Sequence, residues 1–233
     1  MRNFKAAQQQ QGAVLVVALV MLLVLTVLAV TNMRGVTLES RITASRAETQ
    51  RLQDVADAAL REGEFRFYGP AFLRDKLEFN GENCKTSNTL QTNGLNKPCL
   101  LKEMTAGNVT DTRTMQRKFY LEPLDFFNAY PDYAANYQVL DGAGVTANKV
   151  LAWMPYIGLD ANTSRKYESE DKRKSFWNTY LITADAAESE AVNAEYGAVL
   201  EGRGTYFYLV NGQANDELAV QSSTANIYVG LNN

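Results

Sequence analysis

Residues 13 to 30 of this chain, AVLVVALVMLLVLTVLAV, contain only Ala, Val, Leu and Met apart from Thr26. About 18 apolar residues meet the lower end of what a bilayer-spanning helix requires. A cleavable secretory signal would have an apolar region of about 7–15 residues and a small-residue cut site after it. Here the run is longer and the residues that follow, TNMRG, offer no such site. A buried helix of a soluble core would explain neither the missing polar face nor the leader, MRNFKAAQQQQG, which carries Arg2 and Lys5 but no acid. The segment therefore predicts membrane insertion.

Orientation does not follow from charge alone. Arg34, Arg41, Arg46 and Arg51 lie beyond the apolar run, so a simple count favours an N-terminus outside. Those arginines alternate with Glu39, Glu48 and Asp54, and a long following domain translocates largely regardless of charge. The cysteines break the tie. Cys84 and Cys99, the only two in the chain, are too far apart for a C-x-x-C redox motif. In an oxidising compartment they read as a disulfide, which would stabilise the fold by roughly 3 kcal/mol for a loop of about 15 residues. The alternative is two free thiols in a cytosolic domain. The disulfide implies a cytoplasmic N-terminus and a domain outside.

Beyond Val30 the sequence continues without a linker. Leu38, Ile42, Ser45, Thr49, Leu52, Ala56, Ala59 and Gly63 recur at steps of three and four and trace one stripe of a helix. Gly35 weakens this helix without having to end it, and Gly69-Pro70 supplies a stop. The pattern predicts one helix over 13–68, with 13–30 in the membrane and 31–68 amphipathic. The alternative is two helices jointed at Thr31–Gly35.

A short basic leader ending in Gly, an abrupt aliphatic run and a long amphipathic continuation resemble a type IV prepilin. Within that family, GAVLVVALVMLLVLTVLAVTNMRGVTLESR is most similar to the PilX group of minor pilins, which also have a Gln-rich leader and a run like MRGVTLE. The specific likeness covers residues 8–60. It implies that prepilin peptidase cuts between Gly12 and Ala13 on the cytoplasmic face, releasing a leader of residues 1–12, and that Ala13 becomes the N-methylated terminus. Val17 occupies the fifth position after the cut, where most pilins have a glutamate thought to neutralise a neighbour's buried amino terminus. A chain without that acid is poorly suited to repeated mid-fibre positions, because an unpaired charge in hydrocarbon costs several kcal/mol.

The remaining residues, 69–233, read as a globular head in which 71–116 forms a variable connecting region. Strands are expected at 117–122, 150–157, 176–184, 205–210 and 218–231, separated by the loops DGAG, GLDANTS and VNGQAND. A long helix packed on an antiparallel sheet of about four or more strands is an α+β arrangement and is also the pilin fold that the resemblance implies.

No enzymatic function is expected. The chain has no histidine, which excludes Ser–His and Cys–His pairs and His-containing zinc sites. Its net charge of −3 and pI near 5.2 give no case for nucleic-acid binding. Ser169 and Lys172 have S-x-x-K spacing but lie in the mixed-charge run RKYESEDKRK. Asp160, Asn162, Ser164, Glu168 and Asp171 echo a calcium loop whose required glycine is replaced by Arg165. No metal or cofactor is assigned. Phe65, Phe67, Tyr68 and Phe72 read as packing at the helix end. The Tyr-rich segment 129–137 reads as a loop whose side chains pack, and is a reasonable candidate if any loop touches a partner.

The resemblance implies a minor pilin that primes pilus assembly at or near the tip and supports twitching motility, adhesion or DNA uptake. The expected partners are other minor pilins, the major pilin, a PilY-family tip adhesin, prepilin peptidase and the inner-membrane assembly platform. The expected path runs from the inner membrane to the pilus tip at the cell surface. The alternatives are a K-type pseudopilin of type II secretion and an uncleaved single-pass anchor with a periplasmic domain.

Overall fold

The computed structural model describes residues 7–68, 73–90, 96–139, 148–158, 174–182 and 203–229. Contacts divide the chain into two units, Met1–Gln50 and Arg51–Asn233. The described part of the first unit is helical throughout and belongs to α1 (Ala7–Phe65). There is no proline in this stretch, and Gly35, with nothing within 4 Å of where a Cβ would stand, is passed without a break. The residues of the proposed joint, Thr31–Gly35, are therefore helical. The helix ends at Phe65 rather than at residue 68. Arg66, Phe67 and Tyr68 form a tightening turn in which the Phe67 and Tyr68 N–H groups reach the carbonyls of Glu64 and Phe65 at 3.1 Å.

Among its described residues the second unit holds the last turns of α1, four further α-helices and one sheet. The helices are α2 (Leu73–Leu77), α3 (Val109–Leu121), α4 (Phe126–Ala129) and α5 (Pro131–Ala134). The strands β1 (Met154–Pro155), β2 (Ser175–Leu181), β3 (Arg203–Ala214) and β4 (Leu218–Val229) form an antiparallel sheet in the order β1-β2-β3-β4. The β3–β4 hairpin turns through Asn215 and Asp216, both at positive φ, where Asn and Asp are tolerated better than most residues. The expected loop VNGQAND is thus mostly strand, since β3 runs through Ala214.

Register sorts the sheet into two faces. Trp177, Thr179, Tyr208, Val210 and Gly212 point to α1, where Ala56, Ala59 and Leu60 are buried. Phe176, Tyr180 and Leu209 point the other way, onto a cluster that includes Met104, Met115, Phe119, Phe126, Phe127 and Tyr133. Both faces of β2 are covered, which is why its residues Ser175–Tyr180 are all buried.

That second layer corrects two expectations. Residues 117–122 are not a strand but the end of α3, and the segment 129–137 is not simply a loop but holds α5. Asn108 caps α3 by accepting from the Asp111 N–H at 2.9 Å, and Met115 and Phe119, one helical turn apart, enter the core together. Tyr133 and Tyr137 are buried, and their hydroxyls hold the Lys102 backbone: Tyr133 donates to its carbonyl at 2.5 Å and Tyr137 accepts from its N–H at 2.7 Å. Burial pushes both phenol pKa values up. In residues 150–157 only Met154–Pro155 is strand, while Leu151 makes an isolated bridge to Gln138. The S-x-x-K pair, the calcium-like residues 160–171, Phe72, Gly69-Pro70 and DGAG lie outside the described residues.

Candidate functional site

Two places carry the candidate residues. The first is the apolar part of α1. Its most apolar 18-residue window has a mean hydropathy of 3.3, and none of it is buried within the protein. Val14 to Val30 present their large side chains outward, Val17 among them at 58% exposure. Among the described residues nothing covers this surface, which is the part suited to lipid or to neighbouring helices. Its hydroxyls are self-satisfied. Thr26 donates to the Leu23 carbonyl at 2.8 Å, and just beyond the run Thr31 donates to the Leu28 carbonyl at 2.9 Å. The Gly12–Ala13 peptide bond lies inside α1, five residues on from its start at Ala7. Leu38 and Ile42, on the amphipathic stripe, are also exposed, whereas the same stripe becomes buried from Ala56 onward.

The second place is the end of α1 and the disulfide loop. Cys84 and Cys99 are bonded, fully buried, with Cα atoms 4.7 Å apart. The bond joins a short 3-10 turn, Gly81–Cys84, to the chain that pairs with β2. The Cys84 carbonyl accepts from the Leu151 N–H at 2.8 Å, and the Cys99 carbonyl from the Thr179 hydroxyl at 2.7 Å. Inside the loop, Asn88 donates to the carbonyls of Asn83 and Lys97. Asp75 gathers Asn80, Asn83 and Lys97 at 2.9–3.0 Å. Burial opposes its charge, but those hydrogen bonds and the Lys97 ammonium outweigh it and hold its pKa below the usual carboxylate value.

This loop meets the helix through a buried ion pair that sequence reasoning missed. Arg66 Nη2 donates to Glu62 Oε1 at 2.9 Å, and both residues are fully buried. Glu62 Oε2 accepts from the N–H groups of Ile157 and Gly158 at 2.8 and 3.0 Å. Arg66 Nη1 donates to the Asn88 carbonyl at 3.1 Å, and its guanidinium lies 5.4 Å from the centre of the Trp177 ring. Burial lowers the Arg66 pKa against the opposing pull of Glu62. The available signal was the i,i+4 spacing of Glu62 and Arg66 beside Gly63, on the stripe that turns into the core.

Beside the loop lies an open polar cavity of about 660 Å³, lined by residues including Asn80, Glu82, Lys85, Asn136, Gln138 and Lys149. Among the described residues no three His, Cys, Asp or Glu side chains are gathered to hold a metal.

A long N-terminal helix whose last turns pack on a four-stranded antiparallel sheet defines an α+β protein with the arrangement of a pilin. Residues 11–61 match the family described as PilX N-terminal, which supports a PilX-type pilin and association with a type IV pilus. Neither the curated proteins nor the solved structures contain a match to this chain.

Proposed function

We propose that this chain is a minor pilin subunit that prepilin peptidase releases by cutting between Gly12 and Ala13, and that enters a type IV pilus at or near its tip. The observation that carries the reading is the PilX-type segment at residues 11–61, whose large apolar side chains from Val14 to Ile42 are exposed. Such a surface is stable only in lipid or against other helices. Assembly then exchanges one apolar environment for the other, with the cut placing an N-methylated Ala13 at the start of the packed helix.

Val17 supports a terminal position. A subunit with valine there brings no carboxylate to neutralise a neighbour's ammonium, so it is better placed where few neighbours stack on it. The partners in this reading are other minor pilins, the major pilin and a PilY-type adhesin, with the inner-membrane assembly platform acting before export.

The test is the mass of the N-terminal peptide from native membranes and from sheared surface fibres. A methylated peptide beginning at Ala13 in both fractions supports the proposal. Its presence in membranes alone favours a secretion pseudopilin. A peptide still beginning at Met1 rejects processing and leaves an anchored domain.

A further inference from the structure

Three segments of the second unit meet around the polar cavity beside the disulfide loop. They are the 3-10 turn Gly81–Cys84, the chain that follows α5, and the approach to β1. Bonds within the protein fix how they meet. The Gln138 N–H donates to the Val150 carbonyl at 2.7 Å, the Ala152 N–H to the Gln138 carbonyl at 3.2 Å, and the Leu151 N–H to the Cys84 carbonyl at 2.8 Å. The Cys84–Cys99 bond anchors the first wall. A cavity of about 660 Å³ with walls held in this way asks little ordering of the protein when a ligand enters.

Its chemistry is one-sided. Among the described residues that line it Glu82 is the only acid, and Lys85 pairs with it. Lys149 is exposed and has no ion-pair partner among the described residues, so one ammonium is left for an anion. Two amides decide what else the ligand must carry. Asn136 Nδ2 donates to the Tyr133 carbonyl at 2.9 Å, which leaves its Oδ1 as an acceptor. The side chain of Asn148 makes no hydrogen bond among the described residues and offers both donor and acceptor. A bare carboxylate has no proton to give those acceptors, whereas a hydroxyl both donates and accepts. An apolar surface stands beside them. Phe79 is 38% exposed, and its ring packs edge-on against Tyr137, a residue of the cavity wall, with centroids 6.2 Å apart. A pyranose acid matches the whole set, with a carboxylate, hydroxyls around its rim and a flat C–H face. We propose that this cavity binds a sugar acid of the uronate class, with its carboxylate on Lys149, its hydroxyls on Asn136 and Asn148, and its C–H face on Phe79. A few placed polar groups of this kind fix a ligand's orientation and identity.

The experiment titrates the full chain, held in phosphatidylcholine nanodiscs, with tetragalacturonate. Saturation-transfer NMR and calorimetry read the binding. The expected result is saturable binding about tenfold or more tighter than that of the neutral galactose tetramer, as a hydrogen bond to a charged group implies. Lys149→Gln should bring tetragalacturonate down to the affinity of the neutral tetramer, and Phe79→Ala should weaken both sugars. Arg117→Gln, exposed on α3, should change neither. Thermal unfolding midpoints confirm that each variant is folded; Lys149→Gln, at an exposed site, decides the matter if Phe79→Ala is not. The proposal is overturned if tetragalacturonate shows no saturable binding, or if tetraglutamate binds as tightly, which would mean a site for acidic peptide. It is also overturned if Lys149→Gln and Arg117→Gln weaken binding equally, which would mean general charge attraction. None of these outcomes depends on whether the leader is cut or the chain enters a pilus.

Discussion

Glu62 and Arg66 hold three segments in register: the end of α1, the chain leaving β1 and the disulfide loop. Removing one partner of a buried pair leaves an uncompensated charge, at a cost of about 3–5 kcal/mol. Glu62→Ala should therefore lower stability by that order. The Glu62→Leu, Arg66→Met double variant should lose much less than the sum of its singles. Denaturant unfolding followed by the fluorescence of Trp153 and Trp177, both buried, measures both. Asp75 makes a separate prediction in pH. Its folded pKa is depressed, so its stabilisation is fully present above the unfolded value of about 3.9 and is lost as pH falls through the folded value. Asp75→Asn should be less stable than the native chain at neutral pH, and the gap should close below about pH 4. Unfolding midpoints collected from pH 7 down to pH 2.5 would show whether it does.

Among the elements, α1 and β3 approach closely. A Cβ on Gly212 would stand 2.3 Å from the Ala56 carbonyl oxygen and 2.7 Å from the Leu60 nitrogen, both backbone atoms that cannot move aside. A Cβ on Gly63 would meet Val210 Cγ1 at 2.8 Å, a side-chain atom with some room to yield. Gly212→Ala should therefore destabilise by more than the ~1–3 kcal/mol usual for overpacking, and Gly63→Ala should fall within that range. Thermal unfolding of the two variants side by side checks the order. The helix and the strands β2 to β4 were legible because their patterns are local: an aliphatic run, a stripe ending at Gly63, and aromatic and β-branched clusters. The layer on the sheet's second face was not. The run RKFYLE carries strand-forming residues, but the Asn108 cap and the burial of Met115 with Phe119 make it helical. Gly212 was placed in a loop, although an isolated glycine within a strand pattern is itself a sign of close backbone approach.

At the scale of the whole molecule, every buried core residue among the described ones lies between Ala56 and Ala214, within the unit Arg51–Asn233. A chain beginning at residue 51 should therefore fold without a membrane and form the Cys84–Cys99 bond. Its near-ultraviolet circular dichroism should show ordered aromatic packing, and a featureless spectrum would mean that the earlier turns of α1 are needed for folding. The candidate site was only partly open to sequence reasoning for a similar reason. Gly12, Ala13 and Val17 stand out in a local pattern, whereas the Glu62–Arg66 pair exists only once segments nearly 100 residues apart meet. The hydroxyls of Thr26 and Thr31, each bonded to its own helix, carry one more consequence. With no titratable side chain from Ala13 to Val30 and no hydroxyl left unsatisfied there, the work of pulling this segment out of a bilayer is set mainly by its apolar area. A force measurement on single molecules should give an extraction work that changes with bilayer thickness and, below about pH 7 where the amino group of a cut chain keeps its charge, is insensitive to pH.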